Sequence, residues 1–146
     1  MKEFKGRVVV PGTAKAEALV SRQGFNTLAS FKKALLAKKL DAPCSDQNNE
    51  DIYQKNMAKK ALCLPQTIGS TTGGIVIYSA SKMGAVPACL LFSESIDSLA
   101  ASGAILSDIW TDTDMPTVDR LGQEFLDYVK DGMTISIKED GLVEVE

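Results

Sequence analysis

Histidine is absent from all 146 residues of this chain. That removes imidazole acid–base catalysis, the Ser-His-Asp and Cys-His arrangements and nearly all familiar zinc sites. No run of about 18 apolar residues is present, so no membrane partner is expected. The opening Met1-Lys2-Glu3-Phe4-Lys5-Gly6 lacks the apolar stretch of a secretory signal, and cytoplasmic residence is the default expectation. Cysteine is sparse: Cys44, Cys63 and Cys89 form an odd, widely spaced set that does not make a disulfide framework. Cys63 and Cys89 lie inside apolar runs, where cysteine behaves as a small hydrophobe. Cys44 lies in a polar stretch, with no neighbour in sequence to support ligation or reactivity. The formal net charge is -3 and no basic stripe alternates with aromatics, so nucleic acid is not an expected partner either. Lys32-Lys33 with Lys38-Lys39 reads as the solvated face of a short helix.

What is present suits one soluble domain over residues 1–146. The chain is 45% hydrophobic and 24% charged, and long enough for one buried core. Neither an internal repeat nor a Pro/Gly/Ser linker divides it. Gly6 to Val10 is a β-branched run ended by Pro11-Gly12, and Ala16 to Ser21 reads as a second strand. The two are expected to pair antiparallel around Pro11 to Lys15. Leu28, Phe31, Leu35 and Leu36 recur at helical spacing within Asn26 to Leu40, with Asn26 or Thr27 as cap. Asp41 to Asn56 is polar and aperiodic and is expected to form an irregular surface excursion. Ala58 to Leu64 then supplies a buried strand stopped by Pro65.

A strand, a Gly-rich loop, an apolar helix closing at Lys82-Met83-Gly84 and a strand at Ala88 to Phe92 make a βαβ unit with parallel strands. The helix needs tertiary support, because Ile75-Val76-Ile77 alone favours a strand. A further helix is expected over Ser95 to Ala104, with Ser95 or Asp97 near its start and Gly103 at its end, and another over Asp119 to Val129. Trp110 to Val118 is expected to be strand or loop, interrupted by Pro116. Met133 to Ile137 and Leu142 to Val145, joined through Lys138-Glu139-Asp140-Gly141, form a hairpin. The fold class is therefore α/β, a single domain with a mixed sheet.

Gly69-Ser70-Thr71-Thr72-Gly73-Gly74 is the best candidate site. A helix beginning near Thr71 turns free N–H groups and its positive dipole end toward the loop, which binds carboxylate or phosphate without a basic side chain. Three hydroxyls in a row add donors, and the glycines allow close approach of the backbone. The loop lacks the Gly-Lys-Ser/Thr ending of a P-loop and the G-x-G-x-x-G spacing of a dinucleotide fold. A plain helix cap with a tight turn accounts for the same residues. Asp108, Asp112, Asp114 and Asp119 cluster in sequence, but their spacing fits no metal loop, and a solvated loop with Asp119 as a helix cap is the expectation.

Several of these segments together resemble the aconitase X swivel domain. They are Gly6-Arg7-Val8-Val9-Val10-Pro11-Gly12 leading to Ala16-Glu17-Ala18-Leu19-Val20, then Gly69-Ser70-Thr71-Thr72-Gly73 with Tyr78, then Pro87-Ala88, then Pro116-x-Val118-Asp119-Arg120. The resemblance implies a swivelling β/β/α domain that covers an active site on a larger aconitase X subunit. It implies that an iron or iron–sulfur centre belongs to that subunit and none to this chain. It also implies a heterodimeric hydro-lyase, inactive as this chain alone, that dehydrates a small hydroxy acid. Family members act on cis-3-hydroxy-L-proline or mevalonate 5-phosphate, and the lack of a basic clamp here favours the first. Ser70 matches the family's active-site serine and is implied as the base. Gly69, Thr71, Thr72 and Gly73 would hold substrate, with Gly12 as a secondary contact. Between Val20 and Ala58 the chain departs from the family pattern, with Phe25-Asn26-Thr27-Leu28-Ala29-Ser30 and a lysine-bearing helix where a Gly-Gly-containing loop is usual.

A serine is a poor base near neutral pH unless its alkoxide is stabilised, as a helix N-terminus does. Two other classes compete. A phosphohistidine swivel domain is excluded by the missing histidine. A non-catalytic anion-binding or regulatory module remains open, and tight ligand binding by the isolated chain would favour it.

Overall fold

A computed structural model describes residues 1–37, 41–68, 73–111 and 114–146. In chain order the elements are β1 (Lys2–Lys5), β2 (Arg7–Val10), β3 (Ala14–Val20), β4 (Phe25–Asn26), α1 (Thr27–Ala37), β5 (Ala61–Leu64) and β6 (Thr67–Ile68). They continue with α2 (Gly73–Met83), β7 (Cys89–Phe92), α3 (Ser98–Trp110), β8 (Thr117–Asp119), α4 (Gln123–Tyr128), β9 (Thr134–Ile137) and β10 (Leu142–Val145). No helix among the described residues is long and apolar enough to cross a membrane.

The large sheet runs β1-β10-β9-β3-β5-β7-β8-β2. β3, β5, β7 and β8 are parallel, and antiparallel strands flank them on both sides. Laid flat at about 4.8 Å per strand, the two edges would lie more than about 30 Å apart. Yet the edges are β1 and β2, which only Gly6 separates. The sheet must therefore double back on itself into two β layers. At that corner a Cβ on Gly6 would overlap the Asp119 carbonyl, so glycine is needed there for space.

Alternation along the central strands makes the third layer necessary. Ala18, Val20, Ala61, Cys63, Cys89 and Leu91 face a core between the two β layers, filled by Phe4, Phe125, Ile135, Val143 and Val145. Leu19, Leu62, Leu64, Leu90 and Phe92 point the other way, into a second core with Phe31, Val76, Ile77 and Ala104 of the helices. Strands apolar on both faces are covered on both faces. The mixed α/β, β/β/α organisation expected from sequence is thus observed, and so is the βαβ unit through α2. Burial of Val76 and Ile77 against the sheet supplies the tertiary support that α2 required.

Several expectations are corrected. β2 and β3 do not pair with each other: β2 joins β8, while β3 lies between β9 and β5, so Pro11-Gly12 crosses between layers instead of closing a hairpin. Residues 41–56 are irregular but not superficial. Ala42, Cys44, Asn49 and Ile52 are buried, because the segment covers the ends of α1 and β3. α3 runs past Gly103 to Trp110, since Gly103 packs against α2 and does not end the helix. Asp119 caps no helix. It is a fully buried strand residue that accepts Arg7 Nε at 2.9 Å, Arg7 Nη2 at 2.6 Å and the Ile96 N–H at 2.8 Å. Asn26 is the cap of α1, accepting from Ala29 N–H at 3.1 Å. The expected end of that helix at Leu40 lies outside the described residues.

Candidate functional site

α1, α2 and α3 all start at the carboxyl ends of the parallel strands. β3 leads to α1 through β4, β5 leads to α2 through β6, and β7 leads to α3. That edge of a parallel sheet is where helix N-termini collect and where α/β folds bind ligands. Here they surround an open cleft of ≈ 230 Å³, lined by Thr27, Thr67, Ile68, Gly73 and Asp97–Ala100. Thr27 and Gly73 are the first residues of α1 and α2, and Asp97 is the N-cap of α3. An apolar void of ≈ 10 Å³ adjoins it, among Phe25, Phe31, Leu64, Ile77 and Phe92, and is too small for a ligand.

Among the described residues the chain itself caps the starts of α1 and α3. Asn26 caps α1, and Asp97 Oδ1 accepts the Ala100 N–H of α3 at 2.8 Å while Oδ2 accepts from Thr67 Oγ1. The Asp97 carboxylate gives the α3 side of the cleft negative charge, so an anionic group is better placed toward the start of α2. Exposed Arg120 stands on the same sheet edge in a left-handed conformation (φ 57°), its Nε donating to Ser95 Oγ at 3.0 Å.

The sequence candidates separate. Gly69, Ser70, Thr71 and Thr72 lie outside the described residues. Both residues that flank this segment, Ile68 and Gly73, line the cleft. Gly73 needs no special space: a Cβ there would meet Thr27 Oγ1 at an ordinary 3.7 Å. Gly74 serves packing, because a Cβ on it would overlap the Leu99 carbonyl, and one on Gly103 would overlap the Gly74 carbonyl. The pair brings α2 and α3 backbone to backbone, the structural alternative to ligand approach. Gly12 is remote from all of these. It adopts φ 148° at the amino ends of the parallel strands, against Pro116. The chain therefore does not bring Gly12 and Gly73 into one cleft.

Thr27, Thr67 and Asp97 were not singled out as site residues from sequence. Asp97 was legible as a helix start, but its approach to Thr67 is a contact across 30 residues that no local pattern announces. The cysteines are all buried. Burial pushes the Cys44 thiol up, Cys63 further, and Cys89 to about 12, so each stays protonated and unreactive near neutrality. Among the described residues no group of three His, Cys, Asp or Glu is placed to hold a metal ion.

The small subunit of phosphomevalonate dehydratase from Methanosarcina mazei is 30% identical over 146 residues, spanning 98% of this chain and 90% of that one. The corresponding subunit from Thermococcus onnurineus is 31% identical over 145 residues, with 99% and 98% covered. The holo-form crystal structure of Thermococcus kodakaraensis aconitase X superposes with a TM-score of 0.82 at 29% identity, covering 100% of this chain and 99% of that one. The model of the aconitase X swivel domain matches residues 3–145, and the chain belongs to that family.

Proposed function

We propose that this chain is the small subunit of an aconitase X type dehydratase acting on mevalonate 5-phosphate, and that its cleft closes over substrate held on a large subunit. The observation that carries the reading is similarity along the whole length of small subunits of phosphomevalonate dehydratase, in a chain whose helix N-termini converge on one cleft. The names of those relatives favour mevalonate 5-phosphate over the cis-3-hydroxy-L-proline preferred from the missing basic clamp. Arg120 on the same edge supports a substrate that carries phosphate.

In the proposed reaction a base takes a proton from carbon, the neighbouring C–O bond breaks, and the hydroxyl leaves with a proton as water. Ser70 is the assigned base. The start of α2, joined to it through Thr71 and Thr72, stabilises the alkoxide by its dipole. Gly69, Thr71, Thr72 and the N–H groups at Gly73 orient a substrate carboxylate. The iron or iron–sulfur centre expected in the large subunit would supply Lewis-acid chemistry from that side. The chain's own part is to hold the substrate, exclude water and accept the proton.

The test is co-expression with the large aconitase X subunit of the same organism and anaerobic purification. Both acids are then assayed, with Ser70→Ala alongside. The expected result is dehydration of mevalonate 5-phosphate by the complex alone, with kcat lowered about 10²–10⁴-fold by Ser70→Ala while the complex persists. Turnover of cis-3-hydroxy-L-proline instead would replace the substrate. No complex, together with tight anion binding by the isolated chain, would favour a non-catalytic binding module.

A further inference from the structure

α3 carries large apolar side chains outside its buried face as well as small ones within it. Ala100, Gly103, Ala104 and Ser107 are buried. Leu99 (44% exposed) lies on the flank of that buried arc, and the exposed remainder carries Ile105 (41%) and Ile109 (64%) beside Ser98, Ser102 and Asp108, while Trp110 at the helix end is 67% exposed. On α2 Ile75 is 69% exposed, and Tyr78 meets Trp110 edge to face at 6.2 Å between ring centroids. Between the two helices runs a groove of ≈ 240 Å³, with Ile75, Tyr78, Leu99 and Leu106 in its walls. Large apolar side chains on the solvent side of an amphipathic helix depart from the usual polar outer face. The exposed side chains leave on the order of 500 Å² of apolar surface, near the top of what a monomer keeps and most of one partner's share of a standard interface.

We infer that this α2–α3 face is the docking surface for the large subunit. The inference rests on the small-subunit reading above and deepens it. The occupant follows from continuity: Leu99 lines both the apolar groove and the functional cleft, so a chain seated on the groove stands at the cleft mouth. A partner that must close the cleft therefore meets this surface first. The face is also almost free of charge. In α2 and α3 together the only charged side chains are Lys82 and Asp108, so the contact is driven by apolar burial around a Trp/Ile centre.

The experiment measures affinity of the purified chain for the large subunit by calorimetry, comparing wild type with Ile109→Glu, Trp110→Glu and, as control on the far layer, Lys5→Glu. All three positions are solvent-exposed, so each variant is expected to keep the wild-type circular dichroism and Tm. The first two are expected to weaken binding at least about thirty-fold, and the control to change it less than about two-fold. Wild-type affinity in both α3 variants would overturn the docking surface while leaving the subunit reading intact. Failure of the wild-type chain to bind would overturn both. Self-association of the wild-type chain in sedimentation, abolished by the same variants while large-subunit binding is unaffected, would assign the face to a second copy.

Discussion

The β layer remote from the helices and the outer face of the helix layer treat water in opposite ways. On the β side, exposed positions carry charges that pair with each other: Lys2 with Glu124, Lys60 with Glu17, and Lys138 with Glu144. Beneath them Phe4 packs edge to face on Phe125, and no large apolar side chain of β9 or β10 is exposed. On the outer side of α2 and α3 the exposed positions include Ile75, Leu99, Ile105, Ile109 and Trp110 among serines and the charged Lys82 and Asp108, over a seam made by two glycines. The first surface is complete in solvent. The second leaves an apolar patch uncovered, as a surface that meets a partner does.

Substitutions sharpen that contrast, because the same kind of change has different consequences on the two sides. The largest loss of stability is expected inside the β–β core: Phe125→Ala, at a fully buried ring, should cost about 3–5 kcal/mol in urea or thermal unfolding. Next comes the helix seam. Gly74→Ala forces α2 away from the Leu99 carbonyl and should cost about 1–3 kcal/mol. Its neighbour Gly73→Ala has room, and should be neutral or stabilise by up to about 1 kcal/mol. Equal effects at the two positions would break the assignment of Gly74 to packing. Asp97→Ala removes the α3 cap and should cost about 1 kcal/mol, while raising the cleft's affinity for inorganic phosphate as a carboxylate leaves it. The smallest effect is expected on the finished surface, where Glu17→Ala, which breaks an exposed pair with Lys60, should change stability by less than about 1 kcal/mol.

Much of the helix-layer architecture was legible beforehand, and much of the site was not. Runs such as Ala61–Leu64 and Cys89–Phe92 announce strands buried on both faces, and Gly84 at φ 77° ends α2 where a left-handed residue was expected. Asp119 misled for a local reason: an aspartate ahead of an amphipathic stretch reads as a cap. Its burial with Arg7 and Ile96 depends on partners 112 and 23 residues away. The 41–56 segment misled likewise, because a polar residue such as Asn49 can be buried against distant groups, here Ser21 Oγ, which donates to Asn49 Oδ1.

What the sequence by itself determined is the set of local choices: strand against helix by periodicity, helix ends by Asn, Asp and Gly chemistry, and the exclusion of histidine catalysis. Those depend on neighbours within a turn or two of the chain. Only the tertiary structure decided that β1 and β2 close the sheet upon itself, that Gly74 and Gly103 serve each other, and that Gly12 stands at the opposite end from Gly73. It also decided that Thr27, Thr67, Gly73 and Asp97 share one cleft. Each of these joins residues far apart in the chain, and such contacts depend on which faces of the sheet remain to be buried once the local elements have formed.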